Sequence, residues 1–269
     1  MLSETKILRP SRVIAPFLAG AAIGAVGGLI GLGGAEFRLP LLIAAFSFVA
    51  LEAVIVNKAI SLVVVAAALL FRSRVIPFDV VLAHWPTLLN LLAGSLLGAW
   101  LGADFATRLN PHTLYRVIAV LLVAIAGLLL FAHDPAAPSE PLANGTALIV
   151  LGVAAGLIIG TVAALLGVAG GELLIPTLVL LFGTDIKLAG SLSLAVSLPT
   201  MLVGFARYSR DRSFDVLKRN PQFVIVMAFG SIVGAYLGGR LLSVVPASAL
   251  PPILAVILVA SAVKVWRHR

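Results

Sequence analysis

Long apolar runs alternate with short charged ones along this chain. No Asp, Glu, Lys or Arg occurs in 13–35, 80–103, 117–133, 141–171, 188–206, 220–239 or 241–263. About 20 apolar residues span a bilayer as a helix, so several of these runs predict membrane-crossing helices. The pattern divides into five apolar segments per half. In the first half they are about 14–32, 38–50, 54–71, 83–103 and 113–132. In the second they are about 146–168, 173–183, 187–206, 220–239 and 247–265. Segments 38–50 and 173–183 are short. At 1.5 Å per residue a stretch of about 12 residues covers roughly 18 Å, little more than half of a hydrocarbon core about 30 Å thick. Each is expected to be a half-helix, the second arm of a re-entrant hairpin.

The two halves repeat each other. Gly31-Leu-Gly-Gly-Ala-Glu-Phe-Arg-Leu-Pro40 is matched 136 positions later by Gly167-Val-Ala-Gly-Gly-Glu-Leu-Leu-Ile-Pro176. The same offset pairs Gly20 with Gly156, Gly24 with Gly160, Ser61-Leu62 with Ser197-Leu198, and Phe78-Asp79-Val80 with Phe214-Asp215-Val216. It also pairs Gly94-Ser95, Gly98-Ala99 and Leu101-Gly102 with Gly230-Ser231, Gly234-Ala235 and Leu237-Gly238, without a gap. A chance register would not hold over most of a chain, so the sequence is a duplication. Residues 1–132 form the first repeat, 133–145 a linker and 146–269 the second, together one membrane domain. Paired interrupted apolar segments point to a transporter's binding site.

Composition agrees. Of 269 residues, 61% are hydrophobic and 11% charged, against roughly 25% charged in soluble domains. The mean hydropathy is +1.15. The net charge of +8 could signal nucleic acid, but no basic stripe carries interleaved aromatics, and nucleic-acid binding is not expected. Positive charge gathers instead in cytoplasmic loops. Lys6, Arg9 and Arg12 precede the first segment, which is read as a membrane segment rather than a removed signal peptide. Arg207, Arg210, Arg212, Lys218 and Arg219 fill loop 207–219, and Lys264, Arg267 and Arg269 end the chain. These three regions are expected in the cytoplasm. The linker carries Asp134 and Glu140 without Lys or Arg and is expected outside, as is loop 72–82 with Arg72 and Arg74. Each half then crosses an odd number of times, and the repeats are inverted. The expected fold is an all-α membrane protein of two inverted repeats, each with a glycine-broken re-entrant hairpin.

Candidate chemistry is sparse. There is no cysteine, which excludes thiol chemistry and disulfides. His84, His112, His133 and His268 are scattered, with no metal-ligand spacing, and neither a metal nor a cofactor is expected. The glycine breaks Gly33-Gly34 and Gly170-Gly171, with Ala35, let the backbone approach a ligand closely. The helix restarting after each break offers unpaired N–H groups and a positive dipole end, an anion site that needs no cationic side chain. The scattered glycines are read as helix-packing positions. Glu36 and Glu172 fall at the start of the short segments; intramembrane carboxylates are costly and usually functional. Each is also a reasonable structural cap or ion-pair partner. A protonated glutamate would remove repulsion toward an anion and couple proton to anion movement. Arg38 and Lys58 supply cationic partners in the first half alone, since Leu174 and Leu194 replace them. Glu36 is therefore expected to be paired and structural, and Glu172 the better proton carrier. Asn57 and Ser61, matched by Ser193 and Ser197, lie four apart on one helical face. They could donate to an oxyanion or bond between helices. Asp79 and Asp215 are read as helix caps.

The two glycine breaks followed by Pro40 and Pro176, and the stretch Ala189-Gly-Ser-Leu-Ser-Leu-Ala-Val-Ser-Leu-Pro199, resemble the TauE/SafE sulfite exporter family, also called TSUP. The resemblance covers nearly the whole chain. It implies a bacterial inner-membrane permease for sulfite, organosulfonates or related small anions. Ala35 stands where a third glycine is common, and Arg38 has no match, so the substrate stays open. The reading is a secondary transporter of a small anion, held between the two breaks as one repeat rocks against the other. A passive anion channel is the nearest alternative. An intramembrane hydrolase is a third, with Glu36 and Glu172 its only candidate acid and base.

Overall fold

The computed structural model describes residues 11–30, 34–74, 76–131, 142, 144–241 and 250–267. Most of the linker therefore lies outside the described residues. Every described element is a helix, with no strand among the described residues. In the first half these are α1 (Ser11–Ile30), α2 (Ala35–Ala44), α3 (Ala50–Arg72), α4 (Phe78–Ala83), α5 (Trp85–Arg108) and α6 (Pro111–Phe131). In the second they are α7 (Gly145–Leu166), α8 (Gly171–Phe182), α9 (Ile186–Tyr208), α10 (Asp215–Arg219), α11 (Pro221–Leu241) and α12 (Leu250–Trp266). Five of them, α3, α5, α7, α9 and α11, are long and apolar enough to cross a membrane.

The apolar pattern finds all ten expected segments and misses α4 and α10. α2 begins and ends earlier than expected, because it starts immediately after Gly34 and its last turn gives way to a bend in which Ser47 has φ 58°. α5 runs beyond its apolar stretch as far as Arg108. Its last turn carries Asp104, which binds both Arg108 and Arg207, each at 2.6 Å. Asp79 and Asp215, expected as caps, instead sit inside the first turns of α4 and α10, and neither helix has a side-chain cap.

Glycine builds the closest helix contacts. α1 lies along α11, and α7 along α5. A Cβ added at Gly20 would stand 2.4 Å from the Met227 carbonyl oxygen, and one at Gly156 would stand 2.4 Å from that of Leu91. Gly94 and Gly98 face Val153 and Leu157; Gly230 and Gly234 face Phe17 and Ala21. Every one of these contacts recurs in the other pair of helices when each residue is moved by 136 positions. Only a bare Cα lets two backbones approach this closely in lipid, where close packing replaces the hydrophobic drive that assembles soluble helices.

Two further pairs join matched helices. α3 crosses α9, with Lys58 beside Gly204 at one end and the Arg72 guanidinium reaching the Lys187 carbonyl oxygen (2.8 Å) and Ser191 Oγ (3.2 Å) at the other. α3 and α9 therefore run antiparallel. α6 and α12 do the same, with Arg116 over the Trp266 ring at 5.7 Å. α3 and α9 hold the interior: Ala53, Val54, Ile60, Leu192, Val196 and Met201 are buried.

Candidate functional site

Two glycines start the short helices. Gly34 has φ 68° and Gly170 has φ 80°, in the left-handed region that costs any other L-residue about 1–2 kcal/mol. Each is the residue just before its helix, and α2 and α8 begin within the protein. Ala35, Glu36, Gly171 and Glu172, the first two residues of the two helices, are all buried. Gly33 lies outside the described residues. Pro40 and Pro176 occupy the sixth position of each helix and have no N–H for the carbonyl four residues back, which belongs to Glu36 or Glu172.

The polar set on α3 gathers around α2. Arg38 is fully buried; its Nη1 donates to Ser61 Oγ at 3.0 Å and to Asn57 Oδ1 at 3.3 Å. Asn57 Nδ2 donates to the Ala35 carbonyl at 3.0 Å and to that of Leu166 at 3.1 Å. Asn57 thereby ties the start of α2 to the end of α7. In the second half Ser197 Oγ donates to the Ala169 carbonyl at 2.8 Å, inside the second break, and Ser193 Oγ donates to Gly190 in its own helix. The expected face of Asn57 and Ser61 is present. Asn57 and Ser197 donate to backbone carbonyls at the two breaks, while Ser61 accepts from Arg38.

Lys58 lies elsewhere. It is one residue from Asn57, about 100° around the helix, so it cannot share that face. Its Nζ sits 3.5 Å from the Ala163 carbonyl and 6.0 Å from the Tyr208 ring centroid. Tyr208 in turn donates to the Ala164 carbonyl at 2.9 Å. Lys58 is buried, and among the described residues it forms no ion pair with a carboxylate.

Glu36 and Glu172 lie near each other. Their buried carboxyl groups lie close enough across the two halves to influence each other electrostatically. Arg38 lies close enough to Glu36 for charge attraction, while Glu36 Oε2 has no hydrogen-bond partner. Both side chains are at most 6% exposed. The two glutamates thus occupy the N-terminal ends of α2 and α8, where backbone donors and helix dipoles favour negative charge. The repeat marks these residues as equivalent. Their closeness is a relation between halves, and a reading confined to each repeat leaves Glu172 without a neighbour.

The buried polar groups of this region are the two helix N-termini, the guanidinium of Arg38 on α2, the ammonium of Lys58 on α3, and the side chains of Asn57, Ser61 and Ser197. Among the described residues no group of three or more His, Cys, Asp or Glu could hold a metal ion. The sequence pattern of the sulfite exporter TauE/SafE family matches residues 16–265. No curated protein and no solved structure matches the chain.

Proposed function

Because this chain belongs to the sulfite exporter TauE/SafE family, a family of membrane transporters, we propose that it carries a small sulfur oxyanion or organosulfonate across the bacterial inner membrane. The anion binds between the two glycine breaks, against the N-termini of α2 and α8. One observation carries this reading: both short helices begin in the interior at left-handed glycines, with Glu36 and Glu172 buried in their first turns and close enough to influence each other's charge. Asn57 and Ser61 lie near the middle of α3, and Ser193 and Ser197 near the middle of α9, which suits a site close to the membrane midplane. Arg38 and Lys58 supply positive charge.

The transport test uses purified protein in sealed vesicles. Sulfite and small sulfonates are expected to move in a protein-dependent way, faster with a proton gradient than without one. Flux that ignores the gradient supports the channel alternative. A lipid or phosphate product formed in detergent, without any flux in vesicles, supports the hydrolase.

The repeats are inverted in this proposal, each half containing a re-entrant hairpin whose second arm is α2 or α8. The antiparallel run of α3 against α9, and of α6 against α12, supports it, since those helices are matched by the repeat. Phe17 of α1 and Phe229 of α11 pack 6.2 Å apart, and α11 follows directly on loop 207–219, so the first helix begins at the basic end. That end faces the cytoplasm. Because the chain has no cysteine, single-cysteine variants give a clean readout. Ser213→Cys is expected to react with an impermeant thiol reagent only from the cytoplasmic side, and Ser139→Cys only from outside. The reverse pattern, or both on one side, rules out this topology.

A further inference from the structure

We propose that the last turns of α12 bind an anionic phospholipid, with its phosphate at Lys264 and Arg267 and its acyl chains in the apolar grooves on either side of the helix. The inference goes beyond the anion site and needs only that the protein lies in a bilayer.

Three adjoining grooves meet at this end of α12. The first, of about 270 Å³, lies between α1, α2 and α12; Ile23, Val26, Phe37, Leu41 and Ile257 line it together with Lys264. The second, of about 380 Å³, shares Ala44 and Lys264 with the first and adds Arg267. The third, of about 530 Å³, shares Val263 and Arg267 with the second and continues between α6 and α12 beside Val120 and Val123. No carboxylate lines any of them. Ile257 precedes Lys264 by seven residues, so the first groove runs about 10 Å along the helix away from the charged end. Apolar walls that lead to two cations complement a lipid with an anionic head, and the two flanking grooves suit its two chains.

The charges at this end single out the same place. Ala44 closes α2, and the next turn packs Phe46 and Phe48 on Phe223 at the start of α11, with ring centroids 4.9 and 5.3 Å apart. Lys264 therefore lies at the basic end of the molecule. There Arg108 and Arg207 meet Asp104, Arg219 meets Glu52 and Lys218 meets Asp215. Arg116 and Arg210 lie over the rings of Trp266 and Trp100. Lys264 and Arg267 are exposed, and among the described residues neither forms an ion pair. Three residues apart, they are neighbours on the helix surface. Trp266 fixes their depth. It is half exposed, and tryptophan gathers at the membrane–water interface. The two cations thus stand at headgroup level, with the grooves reaching to acyl-chain depth, and basic pockets between membrane helices hold anionic headgroups. Because α2 forms one wall, a bound chain also packs along the helix that starts at the first glycine break.

The test is native mass spectrometry of purified, detergent-solubilised protein after addition of phosphatidylglycerol, or of phosphatidylcholine with the same chains. Wild type is expected to retain phosphatidylglycerol in preference. Combined Lys264→Gln and Arg267→Gln should weaken that retention roughly thirtyfold, about fivefold for each charge, and leave phosphatidylcholine unaffected. Ala44→Trp, which fills the join of the first two grooves without changing charge, should also weaken it. Combined Arg212→Gln and Lys218→Gln removes two exposed charges outside these grooves and should leave it unchanged. Equal retention of the two lipids by wild type, or an equal loss in the Arg212 and Lys218 variant, overturns the proposal. Wild-type retention by the Lys264 and Arg267 variant overturns it whatever Ala44→Trp does. So does a dimer that Ala44→Trp splits into monomers, because a second copy would then cover this face. Neither anion binding nor flux enters these readouts, so their failure leaves the transport reading standing.

Discussion

Gly34→Leu is expected to abolish anion flux in vesicles. At φ 68° any side chain strains the backbone, and a Cβ there would stand 2.5 Å from the Ile23 carbonyl oxygen and 3.0 Å from Ile23 Cγ2. The first contact is with backbone, which cannot rotate away as a flexible side chain can. α2 must then shift, and with it the N–H groups of its first turn and the buried Glu36. Gly34→Ala already introduces the strain and the clash, and is expected to lower flux by more than tenfold. Gly170→Ala meets only Ile159 Cγ2 at 3.1 Å and the Ala163 Cβ at 3.2 Å, so it should leave more folded protein and more flux. Flux is to be compared at equal amounts of monodisperse protein in the membrane. Wild-type flux from Gly34→Leu would remove the first glycine break from the transport path.

Arg38→Ala is expected to be the most destabilising single replacement among the polar site residues. The guanidinium is fully buried, donates to Asn57 and Ser61, and stands against Glu36. Removing the guanidinium leaves buried hydrogen-bond partners unsatisfied, at about 1–3 kcal/mol for each group, and takes the nearby positive charge from Glu36. Thermal or chemical unfolding in detergent measures this. Combining Arg38→Ala with Glu36→Gln should recover part of the loss, since it removes the stranded charge, and the double-mutant cycle gives the coupling. Arg38→Lys should recover little, because an ammonium does not reproduce the fork that spans Asn57 and Ser61. Additive effects in the cycle would show that Arg38 and Glu36 do not depend on each other.

The helices were legible in the sequence because burial in lipid demands long uncharged stretches, and these set α3, α5, α7, α9 and α11 to within a few residues. The glycine breaks were legible because the duplication repeats them, and α2 and α8 start one residue after Gly34 and Gly170. α4 and α10, with six and five residues, are too short for periodicity to distinguish from loop. The extension of α5 through Asp104 to Arg108 was hidden because charge marks the end of an apolar run without marking the end of a helix. Lys58 could have been kept apart from Asn57 by helix geometry alone. The closeness of Glu36 to Glu172 could not be read in the same way. An internal repeat shows which residues correspond, and correspondence carries no information about distance; only the packing of the two halves brings them together.

That packing sets an order on biosynthesis. α1 leaves the ribosome well before α11, whose Gly230, Gly234 and Gly238 receive it. Until then the small-residue face of α1 has no helix to lie against. Neither half can complete its own core, because α5 waits for α7 in the same way that α1 waits for α11. The final topology therefore forms late, with contacts spanning most of the chain, and the partly made protein is the species most exposed to quality-control proteolysis. Two separately expressed halves would each insert unfinished and reach a stable form only by finding each other in the membrane.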